Sequence, residues 1–152
     1  TLSCIGSDHS PAADDEKDNV AKDIWQAWGG LNSIQYFLPM VFDLFVHQKK
    51  LSPTWIAKVM GINPAKIFGL YGRKGAFEIG FDGDLVIVDP NKEWKCEQDK
   101  LYTKGHVSCF DGLTGKGSPV CTIIRGRKVA ENGTYIDQAK GWGQFMKPVV
   151  RE

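Results

Sequence analysis

The sequence has no methionine at its first position, no two cysteines closer than twelve residues, no long apolar run and no surplus of charge of either sign. Each absence removes a class of function. The four cysteines, Cys4, Cys96, Cys109 and Cys121, make neither a C-x-x-C zinc knuckle or redox pair nor a dense disulfide framework. Reduced thiols in a cytoplasmic protein are the expectation. With 19 Lys and Arg against 18 Asp and Glu, the net charge of +1 gives no long-range field to draw nucleic acid or an anionic membrane. No stretch approaches the ~18 apolar residues of a membrane helix, and the first residues lack the basic start and apolar middle of a signal peptide. Of the three histidines, His47 sits in a helical run and His106 in a polar loop, neither with a ligand partner at useful spacing. Both are expected to be ordinary packing or surface residues.

What is present divides into two parts. Residues 1–71 read as one short strand, "LSCIGS", then a polar loop, then helices, since apolar residues recur at helical spacing in "AKDIWQAW", "NSIQYFLPMVFDLFVHQ", "TWIAKVM" and "PAKIFGL". Asn32 or Ser33 and Ser52 are placed to cap two helices, and Pro53 and Pro64 suit first turns. Pro39, inside the long apolar run, predicts a kink or a break. Residues 72–152 read as a small β-rich domain: "DLVIVD" is a strand between turns, and "VCTIIRGRKVAENGTYI" a hairpin-like pair around glycines. The polar, glycine-rich "KCEQDKLYTKGHVSCFDGLTGKGSP" between them predicts a long, poorly ordered surface connection.

The first strand ends on Asp8-His9-Ser10-Pro11. A strand followed by a helix puts the next residue at the C-terminal edge of a sheet, where α/β barrels gather reactive groups, so Asp8 is a candidate metal ligand or general base. Equally, Asp8 and Ser10 could form a turn before Pro11 and cap the next element. Local spacing leaves both readings open.

"SDHSP", followed about fifteen residues later by "AWGGLNSIQYFLPMVFD", resembles the cyclic amidohydrolases of the allantoinase type. "NPAKIFGL", "GFDGDLVIVDP" and "TIIRGRKV" fall in that family's order, so the resemblance covers nearly the whole chain. It implies the C-terminal piece of a longer protein: the last strand and helices of a metal-dependent (β/α)8 barrel, plus a small β-sandwich-like domain. The family's other ligands, a His-x-His pair, a bridging lysine and further histidines, have no counterpart here. "AWGG" serves as a family marker only. Trp25 and Trp28, at i and i+3, are expected to share a helix face in the core, with Gly29 and Gly30 as a C-cap.

By the same resemblance, Asp8 is both catalytic residue and metal ligand. Two divalent metals, of which zinc is the expected kind, activate the attacking water; Asp8 takes its proton and delivers it to the departing ring nitrogen. His9 would orient the carboxylate or the substrate, or pack at the barrel rim. Ser10, Pro11 and Ala12 would line the pocket mouth, their backbone groups pairing with the amide edges of a hydantoin ring. Ala12 stands where allantoinases commonly carry cysteine, which bears on the exact substrate. "HVSCFDG" departs from the family's His-x-Ser-Pro-Tyr-x-Gly, which bears on a surface loop. The implied reaction is ring opening of allantoin to allantoate, on a small cyclic ureide. Dihydropyrimidinase- or hydantoinase-type hydrolysis and a catalytically inert scaffold are the alternatives. An unclosed barrel piece exposes apolar surface and strand edges, so the chain is expected to associate with the rest of its protein or with a second copy.

Overall fold

The computed structural model describes residues 2–17 and 23–148. Its longest helix forms where the apolar spacing is most regular. Ile34–Phe42 (α2) carries Phe37, Leu38, Val41 and Phe42 on one side and buries Val41 and Phe42. A short Asp14–Lys17 helix (α1) precedes it. Pro39 lies inside α2, is buried, and does not break it. The helix runs through the proline, losing only the hydrogen bond the Pro39 nitrogen cannot give, and the change of pitch comes at Asp43–Gln48, where the turns widen to π geometry. Pro53–Ala57 (α3) starts as its sequence predicts, with Ser52 accepting from the Thr54 amide at 3.3 Å and Pro53 in the first turn. It widens through Lys58–Ile62 and passes into Asn63–Ile67 (α4).

The second part is one four-stranded antiparallel sheet in sequential order: Leu85–Lys95 (β1), Thr114–Ile124 (β2), Arg127–Glu131 (β3) and Thr134–Tyr135 (β4). Leu85 faces Ile123 and Ile87 faces Cys121, so "DLVIVDP" and "TIIRGRKV" are neighbours. The turns are those the sequence announces. Arg125-Gly126 and Asn132-Gly133 all have positive φ, the primed geometry that matches the twist of a two-residue hairpin. Pro90 falls in the unpaired stretch between Asp89 and Glu93, and Pro119 beside the shift at Ile87/Val88, the irregular places where a strand tolerates an imino acid.

Helices and sheet share one core. Val41, Phe42 and Ile56 are buried together, with Phe45, Trp55, Met60 and Val88 of β1 packed on them. At Gly117, φ is +91°, and a Cβ there would lie 2.1 Å from the Phe42 ring. The glycine lets α2 lie directly on β2. One residue further on, Asp43 accepts from the Lys116 amide at 2.9 Å and from Gln48 at 2.6 Å. Burial works to raise its carboxyl, but those two bonds, with His47 beside it, outweigh burial and hold it below the usual carboxylate range.

Four expectations are corrected. "LSCIGS" forms no strand ladder: its residues have no strand beside them among the described residues, and one backbone bond, from the Ile5 amide to Val59 at 3.1 Å, ties them to the helices. Of the helix expected over "AKDIWQAW", residues 21–22 lie outside the described residues and the remainder is a single tight turn, Ile24–Gln26. Trp25 is therefore 92% and Trp28 61% exposed rather than core. The sheet is single, with no second layer forming a sandwich among the described residues. The long connection is not a loose one. Its last six residues belong to β2, and Cys96, Leu101, Gly105 and Ser108 are buried in it.

A charged cluster fastens the segment between helices and sheet. Asp82 meets Lys74 at 3.0 Å and Arg73 at 3.1 Å, Lys74 also pairs with Asp84, and Asp84 accepts from the Arg125 amide at 2.8 Å. The hydrogen bond from Lys74 leads the causes that hold the Asp82 carboxyl below its ordinary value.

The packing of Phe42 on Gly117 can be tested by substitution. Phe42→Ala should cost about 3–5 kcal/mol in urea unfolding, and Gly117→Ala should cost less in the Phe42→Ala background than alone, because the ring it strikes has gone. Since the folded-state value of Asp82 is depressed, its contribution is present above the ordinary carboxylate value of about 4 and is lost as pH falls through the lower folded value. Asp82→Asn should flatten that acid limb in a stability-versus-pH series and leave stability near neutrality within about 1 kcal/mol of the parent.

Candidate active site

The residues "SDHSP" form a tight loop pinned through Ser7, His9 and Ser10 to residues 31–34, where α2 begins. The Ser33 hydroxyl donates to the Ser7 carbonyl at 3.0 Å, and the Ser33 amide donates to His9 Nδ1 at 3.1 Å. The Ile34 amide also donates to Nδ1, at 3.2 Å. The Ser10 amide donates to the Leu31 carbonyl at 3.0 Å, completing a parallel bridge between His9 and Leu31. Asp8, between the two residues held by Ser33, is exposed and has φ +46°. That left-handed conformation is one that aspartate tolerates better than most residues.

Both caps foreseen for α2 behave differently. Ser33 stands at the N-cap without capping, because its hydroxyl is turned to Ser7; the acceptor for the orphan amides is the imidazole of His9. Asn32 is buried and reaches the other way, to Thr103 Oγ1 at 2.5 Å and the Gly105 carbonyl at 2.7 Å. Its Oδ1 is buried without a partner among the described residues. The Asp14 carboxylate accepts from the His106 amide at 2.9 Å and the Val107 amide at 3.3 Å. The "HVSCFDG" loop is thus a wall of this region rather than a free surface loop.

Gly30 is the part of "AWGG" that the geometry explains. Its φ is +101°, and a Cβ would fall 2.4 Å from the Ser10 carbonyl oxygen. It is a point of close approach and not the C-cap of a helix. Lys17 draws the same segment in by donating to the carbonyls of Trp28 at 2.7 Å and Gly30 at 2.8 Å.

The proposed lining residues divide. Ser10 and Pro11 are exposed, but the Ser10 amide hydrogen is already used and Pro11 has none, which leaves the Ser10 hydroxyl and carbonyl oxygens to meet a ligand. Ala12 is 7% exposed and packs under the Gly105 backbone, so it turns away from the surface it was expected to line. The sequence reading missed Ser7, Gly30, Leu31 and Ser33. The signal for them was the joint occurrence of "SDHSP" and "AWGGLNS", which here are two sides of one hydrogen-bonded loop.

No three His, Cys, Asp or Glu among the described residues are grouped to hold a metal ion. Asp8 is one carboxylate, short of the three or four protein ligands such a site needs, so these residues alone do not make a metal centre. Nor is Asp8 in a closed pocket. A cleft of about 790 Å³ lies between α2 and the β2–β3 face, and one of about 840 Å³ between α3 with the widened turn that follows it and β1; neither includes residues 7–12. Leu31 and Ile34, which are bonded to the loop through their backbone, have exposed apolar side chains, as do Ile24, Trp25 and Trp28 in the preceding segment.

Comparison with known proteins places this arrangement. An L-hydantoinase of Paenarthrobacter aurescens is 35% identical over 145 residues, 95% of this chain and 31% of that protein. An allantoinase of Rubrobacter xylanophilus is 36% identical over 144 residues, again 95% and 31%. A dihydroorotase of Methanothermobacter thermautotrophicus is 33% identical over 145 residues, 95% and 32%. Among solved structures, the D-hydantoinase of Bacillus sp. AR9 superposes with a TM-score of 0.88 at 28% identity, covering 99% of this chain and 33% of that one. The L-hydantoinase (dihydropyrimidinase) of Arthrobacter aurescens superposes at 0.80 with 35% identity, covering 88% and 30%. The chain spans about a third of the length of these relatives. Residues 2–129 match the model of the amidohydrolase family, and the chain belongs to that family.

Proposed function

We propose that this chain is the C-terminal part of a hydrolase that opens a cyclic amide, and that it brings Asp8 to the active site as the group that carries the proton. The observation that carries the reading is the loop itself: an exposed carboxylate on a left-handed residue, with both neighbours hydrogen-bonded to the start of α2. An exposed carboxylate on a backbone held in that way is suited to serve as base and then as acid. The relatives support it, being a hydantoinase, an allantoinase and a dihydroorotase by name.

A divalent ion, zinc by the family resemblance, would supply an activated water; among the described residues Asp8 is the one that would hold it, with further donors supplied from elsewhere in the protein. Asp8 would take a proton as the water attacks the ring carbonyl carbon and return it to the ring nitrogen as the C–N bond breaks. Ser10 oxygens would meet the N–H edge of the ring. Allantoin is the substrate favoured by "SDHSP" occurring with "AWGG"; a hydantoin or dihydropyrimidine is the second reading, supported by the hydantoinase likeness across 95% of the chain.

The exposed Leu31 and Ile34 side chains next to the loop, and β1, which among the described residues is paired on one side and has Val86 and Ile87 half exposed, would be surfaces for the rest of the protein or for another subunit to cover.

Two outcomes test this. The 152-residue chain alone should hold no stoichiometric metal after dialysis and open no cyclic ureide. In the complete enzyme, Asp8→Asn should lower turnover by roughly a hundredfold or more. Two bound metals and turnover from the chain alone would contradict the first statement, and an active Asp8→Asn enzyme the second.

A further inference from the structure

We infer that His9 is a positioning residue for Asp8, acting as a neutral imidazole that fixes the backbone from which the Asp8 carboxylate projects; this rests on the reading of Asp8 given above. Backbone N–H groups only donate. Because His9 Nδ1 receives both the Ser33 amide at 3.1 Å and the Ile34 amide at 3.2 Å, that nitrogen bears no hydrogen, and the proton of the neutral ring sits on Nε2. The ring thus does what a side-chain oxygen does at an ordinary N-cap, and does it from a residue 24 positions away in sequence.

What this holds is specific. Ser33 grips the chain on both sides of Asp8, through its hydroxyl at the Ser7 carbonyl and through its amide at the His9 ring. The His9 amide closes back on Ser7 Oγ at 3.3 Å. With residues 7 and 9 fixed to one buried serine, the residue between them must arch outward, and Asp8 does so at φ +46°. Removing the imidazole acceptor leaves two helix amides unsatisfied and frees one of the two supports. The backbone from which the Asp8 side chain projects then keeps one support instead of two. Since Nδ1 is engaged within the protein, a direct grip on substrate through that nitrogen is excluded.

The test uses the complete enzyme and the pair His9→Leu and His9→Asn. Leucine removes the acceptor; asparagine returns an oxygen near the place of Nδ1. Outer-shell partners of this kind typically contribute 10–100-fold to activity or metal affinity, so His9→Leu should lower kcat by roughly that factor, leave KM within about threefold and reduce bound metal. His9→Asn should restore most of both. Nitrogen-15 spectra of the ring in the parent should show the neutral Nε2–H form. Should His9→Leu not fold, Ser33→Ala removes the grip on Ser7 with His9 intact, and should lower kcat several-fold at unchanged KM. Equal loss in the leucine and asparagine variants, a rise in KM alone, an Nδ1–H ring, or a Ser33→Ala enzyme with parental kcat would each overturn the inference while Asp8→Asn stayed inactive. An active Asp8→Asn enzyme would instead overturn the reading of Asp8, and this inference with it.

Discussion

The structure depends on the buried residue Ser33 and the way it ends one element and holds another. An α-helix begins with amides that have no partner within the helix, and here the partner is supplied by a distant loop. The exchange satisfies both sides: α2 gains an acceptor, and residues 7–10 gain an anchor although no sheet surrounds them among the described residues. Gly30 allows the two segments to come that close, Lys17 ties down the carbonyls of residues 28 and 30, and Asn32 fixes the next loop at Thr103 and Gly105. Each contact joins residues distant in sequence, and together they connect residues 7–17, 28–34 and 103–107.

The rest of the chain keeps α2 in place. Phe42 lies on Gly117, Asp43 receives the Lys116 amide, and Val88 joins the helical core. At the other end of the sheet, Asp84 steadies the Arg125-Gly126 turn, and Trp142 stacks under Arg125 at 4.7 Å while donating its indole N–H to Ile124. A helix held on a sheet is a rigid support for the loop that is bonded to its start.

Much of this was legible in the sequence. Although the two-residue strand Thr134–Tyr135 was not separately foreseen, the "DLVIVD" strand and the hairpin around the glycines of "VCTIIRGRKVAENGTYI" were read from apolar runs between turn residues, because those features act through near neighbours. Ser52 and Pro53 opened α3 for the same reason. Features that depend on distant partners were not legible. "LSCIGS" has the composition of a strand, yet composition cannot supply a neighbour. Trp25 and Trp28 have core character and helical spacing, but a single turn of helix gives them nothing to pack on. The polar run before β2 looked loose because its anchors, Asp14 and Asn32, lie more than 70 residues earlier. At the candidate site, Asp8 is singled out by a motif, whereas the cap made by His9 on Ser33 and Ile34 was hidden: nothing in "DHSP" says which nitrogen of the ring is used or by whom.

The central claim is that the Asp8 loop and the start of α2 are one unit. It is tested most directly by amide hydrogen exchange on the complete protein and its Gly30→Ala form, since a methyl group at residue 30 strikes the Ser10 carbonyl and must part the two segments. The Ser10, Ser33 and Ile34 amides should be protected together in the parent and speed up together in the variant, with the amides of α3 and α4 unchanged. Fast exchange at Ser33 and Ile34 with Ser10 still protected, or no change at any of the three, would contradict it.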